Sequence, residues 1–219
     1  MKQTLLMPAI LALALALPAL ATAEAPQGAG AVYRWYQRAA EAGDAEAQFM
    51  LALQYEQGFR SAEPDLAQAE HWYRRAAESG HPLAQLRLAL QLQARGGDAR
   101  AEAVRWLTAA AEQGLADAQF NLAIALETGA GTAVDEAGAI GWYRAAAAQG
   151  LPAAMYNLGG LLATGSTAPL DDVEAYAWLE RAARAGNADA ADLRDRLAQR
   201  LTPAMIDQAR AQAATAVTD

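Results

Sequence analysis

The chain contains no cysteine and a single lysine, Lys2. The first absence removes disulfides, thiolate metal sites, cysteine nucleophiles and a lipid-modified N-terminal Cys together. There are only two histidines, His71 and His81. They lie ten residues apart, which matches no zinc-ligand spacing, so no metal site is expected. His71 reads as a surface residue and His81, just after Gly80, as a helix cap. The three serines (Ser61, Ser79, Ser166) fall in or beside turns, without a G-x-S-x-G elbow or an S-x-x-K pair. Acidic pairs such as Asp44/Glu46 and Asp171/Asp172 sit where helices begin and favour the positive dipole end, so they are poor glycosidase carboxylates. Charge is scarce too: 19% of residues are charged against 54% hydrophobic, a balance that argues for a folded, helix-rich chain. A formal net charge of −8 argues against general binding to nucleic acid or anionic lipid.

Only one long apolar run exists, Leu5 to Leu17. Its 13 residues fall short of the ~20 needed to span a bilayer. It follows Lys2 and precedes Pro18 and Ala21-Thr22-Ala23, the layout of a cleavable signal peptide over 1–23. The expected mature chain starts at Glu24 with a linker over 24–30. It carries no stable membrane insertion and is periplasmic or secreted.

What the chain does have is periodicity. Its five Trp are Trp35, Trp72, Trp106, Trp142 and Trp178, at intervals of 37, 34, 36 and 36 residues. Eight residues after each comes a Gly: Gly43, Gly80, Gly114, Gly150 and Gly186. An Ala pair lies four and five residues after each Trp, and a further Ala (Ala47, Ala84, Ala118, Ala154, Ala190) twelve after. Repeats of this period mean stacked supersecondary units. Each reads as two antiparallel helices. The Gly ends the first; Pro82 or Pro152, or an Ala elsewhere, opens the second. Asp44 and Asn187 sit at capping positions. The alanines let the two backbones approach, and the Trp is the expected filler between them, with Trp106 in the middle unit as keystone.

The pattern W-Y-x-x-A-A-x-x-G-x-x-x-A-x-x-x-L resembles the Sel-one-like repeat (SLR), a relative of the tetratricopeptide repeat. The resemblance covers residues 31 to about 192. The G-x-G loop of that family appears as Gly129-Ala-Gly131, followed by Asp135 before the next first helix. It follows a helix, not a strand, and lacks a third Gly, so no dinucleotide cofactor is expected. The other junctions keep Asp65, Asp98 and Asp171. Leu107 and Leu179 depart from the Tyr, Arg95 from the loop Gly, and Arg194 from the last Leu.

The expected fold is an all-α, α/α solenoid with a right-handed superhelix: five helix hairpins at about 31–58, 65–95, 98–129, 135–165 and 171–201. A capping helix over 202–213 follows, with Thr202 as N-cap, Pro203 at the first helical position and Met205, Ile206 and Ala209 folding back. Residues 214–219 are expected to fray. The first helix, lacking an opening Asp, is expected to start near Ala31 and be short. Asp65/Gln68 and Asp171/Glu174 have the spacing of reciprocal caps. The short junction Arg95-Gly96-Gly97-Asp98 predicts a tight turn. Asp192 stands where other units put a bulky apolar residue, giving the last unit a polar outer face.

No enzyme is visible. The resemblance implies a protein–protein interaction scaffold, a monomer, whose first helices line a concave binding face. On those helices Arg38, Arg74, Arg75, Arg105 and Arg144 occupy positions outside the repeat pattern, a basic row suited to an acidic segment of a partner protein. One alternative is an envelope polysaccharide or peptidoglycan binder, which favours exposed aromatics. Another is a hydrolase of the β-lactamase type, credited to cysteine-rich members; the Cys pair per repeat of that group is absent here.

Overall fold

The computed structural model describes residues 29–58, 63–165 and 171–215. The segment read as a signal peptide lies outside the described residues, as do 216–219 of the tail. Eleven helices and no strand are found among the described residues. The first helices of the five hairpins are α1 (Ala29–Glu41), α3 (Leu66–Glu78), α5 (Ala99–Glu112), α7 (Glu136–Ala148) and α9 (Asp172–Arg184). Their partners are α2 (Ala45–Gln57), α4 (Pro82–Arg95), α6 (Ala116–Thr128), α8 (Pro152–Thr164) and α10 (Ala188–Ala198), and α11 (Pro203–Ala214) ends the array. Helix α1 is not short: it has 13 residues, like α3, α7 and α9. Its missing opening Asp does not delay it.

The hairpin turn follows from one backbone motif. In the first unit Gly43 N–H donates to Ala40 and Asp44 N–H to Ala39, 3.1 and 3.0 Å; this is a Schellman closure, and it needs a left-handed residue at the Gly. All five turn glycines have φ between 87° and 98°, where a Cβ is strained. Three residues thus separate each helix from its partner. Asp44, His81 and Asn187 then cap the second helices through Ala47, Ala84 and Ala190 N–H. The His81 ring also stacks on Phe49 at 4.5 Å and meets Glu46 at 2.9 Å, tying α4 to α2.

Each second helix packs more extensively on the first helix of the next unit than on its own partner. The alanine positions are where the backbones meet: Ala47, Ala84, Ala118, Ala154 and Ala190 are all fully buried. The keystone, however, is not the Trp but the residue after it. Tyr73, Leu107, Tyr143 and Leu179 have 0% exposure and Tyr36 5%; Trp72 and Trp178 are buried too, at 8% and 6%, but Trp35, Trp106 and Trp142 are only half-buried. A residue one step further along a helix turns by ~100°. That step carries it from the flank into the gap between two second helices.

Junctions differ in chemistry. Asp65, Asp135 and Asp171 accept from the N–H three residues on, but Asp98 makes no side-chain cap, its backbone being already helical. Glu174 does not reciprocate toward Asp171; its carboxylate is held by Arg144 and Trp178. Gly131 shows why the loop wants a second glycine: with φ +86°, a Cβ there would lie 2.5 Å from the Arg100 carbonyl carbon. The loop therefore rests on the start of α5, which accounts for the glycines without a ligand.

At the end of the array Leu197 is buried, Leu193 and Leu201 are half-buried, and Asp192 is exposed. Helix α11 packs against α9, burying Ala209 and Ala213. Its end is held rather than frayed: Arg181 donates to the carbonyls of Gln212, Ala213 and Thr215.

Candidate partner-binding face

Repeat-equivalent residues fall into two sets. One links neighbouring units, and it alternates along the array. At the joint of units one and two, Tyr73 Oη donates to Glu56 at 2.7 Å; at that of units three and four, Tyr143 Oη donates to Glu127 at 2.6 Å. Burial, followed by the carboxylate, pushes both phenols well above the ordinary tyrosine range. Units three and five carry Leu107 and Leu179 instead, and there an ion pair serves. Arg74 donates to Glu102, which also accepts from Trp106 Nε1 at 3.2 Å. Arg144 meets Glu174 at 2.8 Å, and Glu174 accepts from Trp178 Nε1 at 3.1 Å. The Arg74 hydrogen bond holds the Glu102 carboxyl below the ordinary glutamate range.

Two of the five expected partner-binding arginines are thereby reassigned. Arg74 also pairs with Glu70 at 3.3 Å, and Arg144 is committed to α9; both brace the stack. The other three point elsewhere. Arg38 and Arg105 are exposed and Arg75 is half-buried. Arg105 has no hydrogen-bond or ion-pair partner among the described residues, while Arg38 donates only to the Arg34 carbonyl at 3.3 Å. Arg75 lies over the Trp72 ring, 5.1 Å from its centroid, a cation–π contact. Arg34, exposed, belongs to the same face. This face is not uniformly basic, because Glu41, Glu78 and Glu112 are exposed one turn further along α1, α3 and α5.

The positions one before and three after each Trp define the face. In the first four units the preceding residues, Arg34, His71, Arg105 and Gly141, are exposed. In unit five Ala177 is 5% exposed, because α11 lies over α9 there. Arg181, three after Trp178, sits 4.7 Å from its ring centroid, and burial lowers its pKa from the ordinary arginine value. The grip of Arg181 was not legible from composition alone; the signal was the Trp/Arg spacing shared by units one, two and five. The signal for Arg74 and Arg144 was their common place two residues after a Trp, with a Glu four residues before the next Trp.

Among the described residues no group of three or more His, Asp and Glu could hold a metal ion. None of their helices is long and apolar enough to cross a membrane.

The Sel1 repeat profile matches residues 33–44, 45–81, 82–115, 116–151 and 152–187. The last four matches begin at second helices, the same phase as the more extensive packing, and the first lies on α1. Two solved structures are similar. A protective antigen of uropathogenic Escherichia coli strains, with an SLR fold, is 32% identical at a TM-score of 0.75, covering 87% of this chain. The chain spans only 41% of that antigen's length. A Sel1 repeat protein from Oxalobacter formigenes is 32% identical at a TM-score of 0.66, over 74% of this chain and 67% of its own. No match was found among curated proteins. The likeness to these two relatives, and five profile matches that together run from residue 33 to 187, place this chain in the Sel1 repeat family.

Proposed function

We propose that the chain is an exported, non-enzymatic scaffold of the cell envelope that holds another protein on the concave face lined by its first helices. Sel1 repeat proteins are generally protein-interaction scaffolds, and no catalytic family is indicated. The observation that carries the reading is the first-helix face itself. It stays open in units one to four and is filled in unit five by a helix of the same chain. Arg34, Arg38, Arg75 and Arg105 favour an acceptor-rich partner there; the three Glu a turn away disfavour a uniformly acidic one. The protective-antigen relative supports an exported setting, as does the leader pattern of 1–23. Polysaccharide binding is less well supported, because every aromatic ring among the described residues is buried or half-buried.

The test is capture of envelope proteins with wild type and with the Arg75→Glu/Arg105→Glu double variant across a salt series. Exposed charges are screened over ~8–10 Å at physiological ionic strength, so specific capture should fall with salt and with the double variant. Equal recovery of the same proteins by both at low salt would place binding on another face.

A further inference from the structure

The array contains one occupied copy of its own binding face, and the way it is occupied identifies the kind of ligand. Helix α11 lies on α9 with Ala209 and Ala213 buried beneath it. Its C-terminal turn ends above Trp178, where Arg181 donates Nε to Ala213 O at 3.2 Å and Nη2 to Gln212 O and Thr215 O at 2.5 and 2.6 Å. The last four carbonyls of any helix lack intrahelical partners, and that end carries the negative pole of the dipole. A guanidinium held flat over an indole is suited to them, since its fork can reach several carbonyls at once.

Among the four open units only unit two repeats this platform. Trp72 is 8% exposed and Arg75 lies 5.1 Å from its centroid, yet the Arg75 guanidinium donates no hydrogen bond to any described residue. Units three and four have Ala109 and Ala145 at the Arg position, and in unit one Arg38 turns back to the Arg34 carbonyl. Two differences from unit five qualify the ligand. His71 stands exposed where Ala177 is covered, and Glu78 stands where unit five has Arg184. Glu78 disfavours a carboxylate and favours a cation, which helix ends often carry in the last turn.

We infer that the Trp72–Arg75 platform seats the C-terminal turn of an α-helix from a partner protein, Arg75 donating to its free carbonyls. The seated helix carries small residues on its buried face and a Lys or Arg in its last turn opposite Glu78. This rests on the scaffold reading above and specifies the ligand of its face.

The probe is a C-terminally amidated peptide of residues 202–215, held helical by a lactam between Asp207 and Ala211→Lys and given a last-turn cation by Gln212→Arg, all three positions being exposed in α11. It is titrated into the 15N-labelled protein, whose five Trp give separately assignable indole N–H resonances. The Trp72 resonance should shift saturably. Arg75→Gln should weaken binding by about tenfold, the loss of a charge-assisted hydrogen bond; Arg75→Lys, which keeps the charge and loses the fork, should lie between. A still Trp72 resonance, or equal affinity in Arg75→Gln, overturns the inference. Saturable shifts at Trp35 or Trp106 that ignore Arg75 also overturn it but leave the wider scaffold reading standing. That reading fails only if envelope-protein capture is unaffected by the charge-reversed face.

Discussion

Ser79→Gln should stabilise the protein, and the reason lies in three buried glutamines. Gln48, Gln85 and Gln119 sit at the same repeat position and are 1%, 4% and 6% exposed. Each donates Nε2 back to the first helix of its own hairpin, at Ala40, Ala77 and Ala111, at 3.1–3.2 Å. Their Oε1 atoms differ. Gln113 Nε2 donates to Gln85 Oε1 and Gln149 Nε2 to Gln119 Oε1, both at 2.8 Å, so the next unit completes each amide. Gln48 Oε1 is buried with no partner, because the equivalent position in unit two is Ser79. The backbone already suits a longer side chain: φ and ψ are −81° and 5° at Ser79, against −80° and 3° at Gln113 and −82° and 4° at Gln149. Leaving a buried acceptor unmade costs ~1–3 kcal/mol. Ordering a glutamine offsets up to ~1.5–2 kcal/mol of that gain, leaving at most ~1–1.5 kcal/mol. At ~2–4 °C per kcal/mol for a chain of this size, the melting temperature should rise by one to a few degrees. The reverse change, Gln113→Ser, bares Gln85 Oε1 but returns the ordering entropy of the glutamine, so it should cost a similar net ~1–1.5 kcal/mol at most. Thermal and urea melts of both variants test the pair. A Ser79→Gln protein no more stable than wild type, together with a harmless Gln113→Ser, would show that these amide contacts contribute nothing to unit coupling.

Tyr143→Ala should destabilise more than Trp142→Ala. The first removes a fully buried ring and leaves Glu127 without its donor, a loss of ~3–5 kcal/mol plus ~1–3 kcal/mol for the unpaired carboxylate; the second removes a partly exposed ring that buries ~100–160 Å², ~2.5–4 kcal/mol at ~25 cal/mol per Å². Urea unfolding of the two variants orders them, and a reversed order would return the keystone role to the Trp. Stability should also fall in acid through Glu102. Its carboxyl binds a proton more weakly when folded than when unfolded, first because of Arg74. Its contribution is therefore present above the ordinary glutamate value and is lost as the pH falls through the depressed folded one. Melting temperatures of wild type and Arg74→Gln between about pH 7 and pH 3 should converge at the acid end, and parallel curves would remove Glu102 from the account.

Most of the fold was legible because the pattern residues act through local rules. Gly at a Schellman turn, Pro or a capping side chain at a helix start, and Ala where backbones touch are each decided within a few residues. The signals that misled were those needing a direction around the helix. Trp142 and Tyr143 are neighbours in sequence, and hydrophobicity alone gives the larger one the centre. Only the stacking of each second helix on the following unit puts Tyr143 there. Similarly, Asp98 has the residue type of a cap, but a three-residue junction forces its backbone into the helical region, where its side chain cannot reach forward. The arginines were legible as a set but not individually, because nothing in a single repeat says which neighbour an arginine will meet.

That last point also explains how one helix can both build the stack and present a surface. Arg74 and Arg75 are adjacent, and ~100° of helical rotation separates them. Arg74 is thereby turned along the stack to Glu102 of the next unit, while Arg75 is turned outward over Trp72. Glu180 and Arg181 in unit five also part company: Glu180 pairs within its own hairpin with Arg184 and Arg194, and Arg181 holds α11. Since units in a solenoid contact only their neighbours, the joint residues are fixed by the adjacent repeat and cannot vary independently. The outward residues carry no such constraint: Arg38, Arg75, Ala109, Ala145 and Arg181 stand at one equivalent position. Identical hairpins thus give a face whose chemistry changes unit by unit. An occupant that needs an arginine over an indole can seat at Trp72 or Trp178 and at neither Trp106 nor Trp142, where the equivalent residue is alanine.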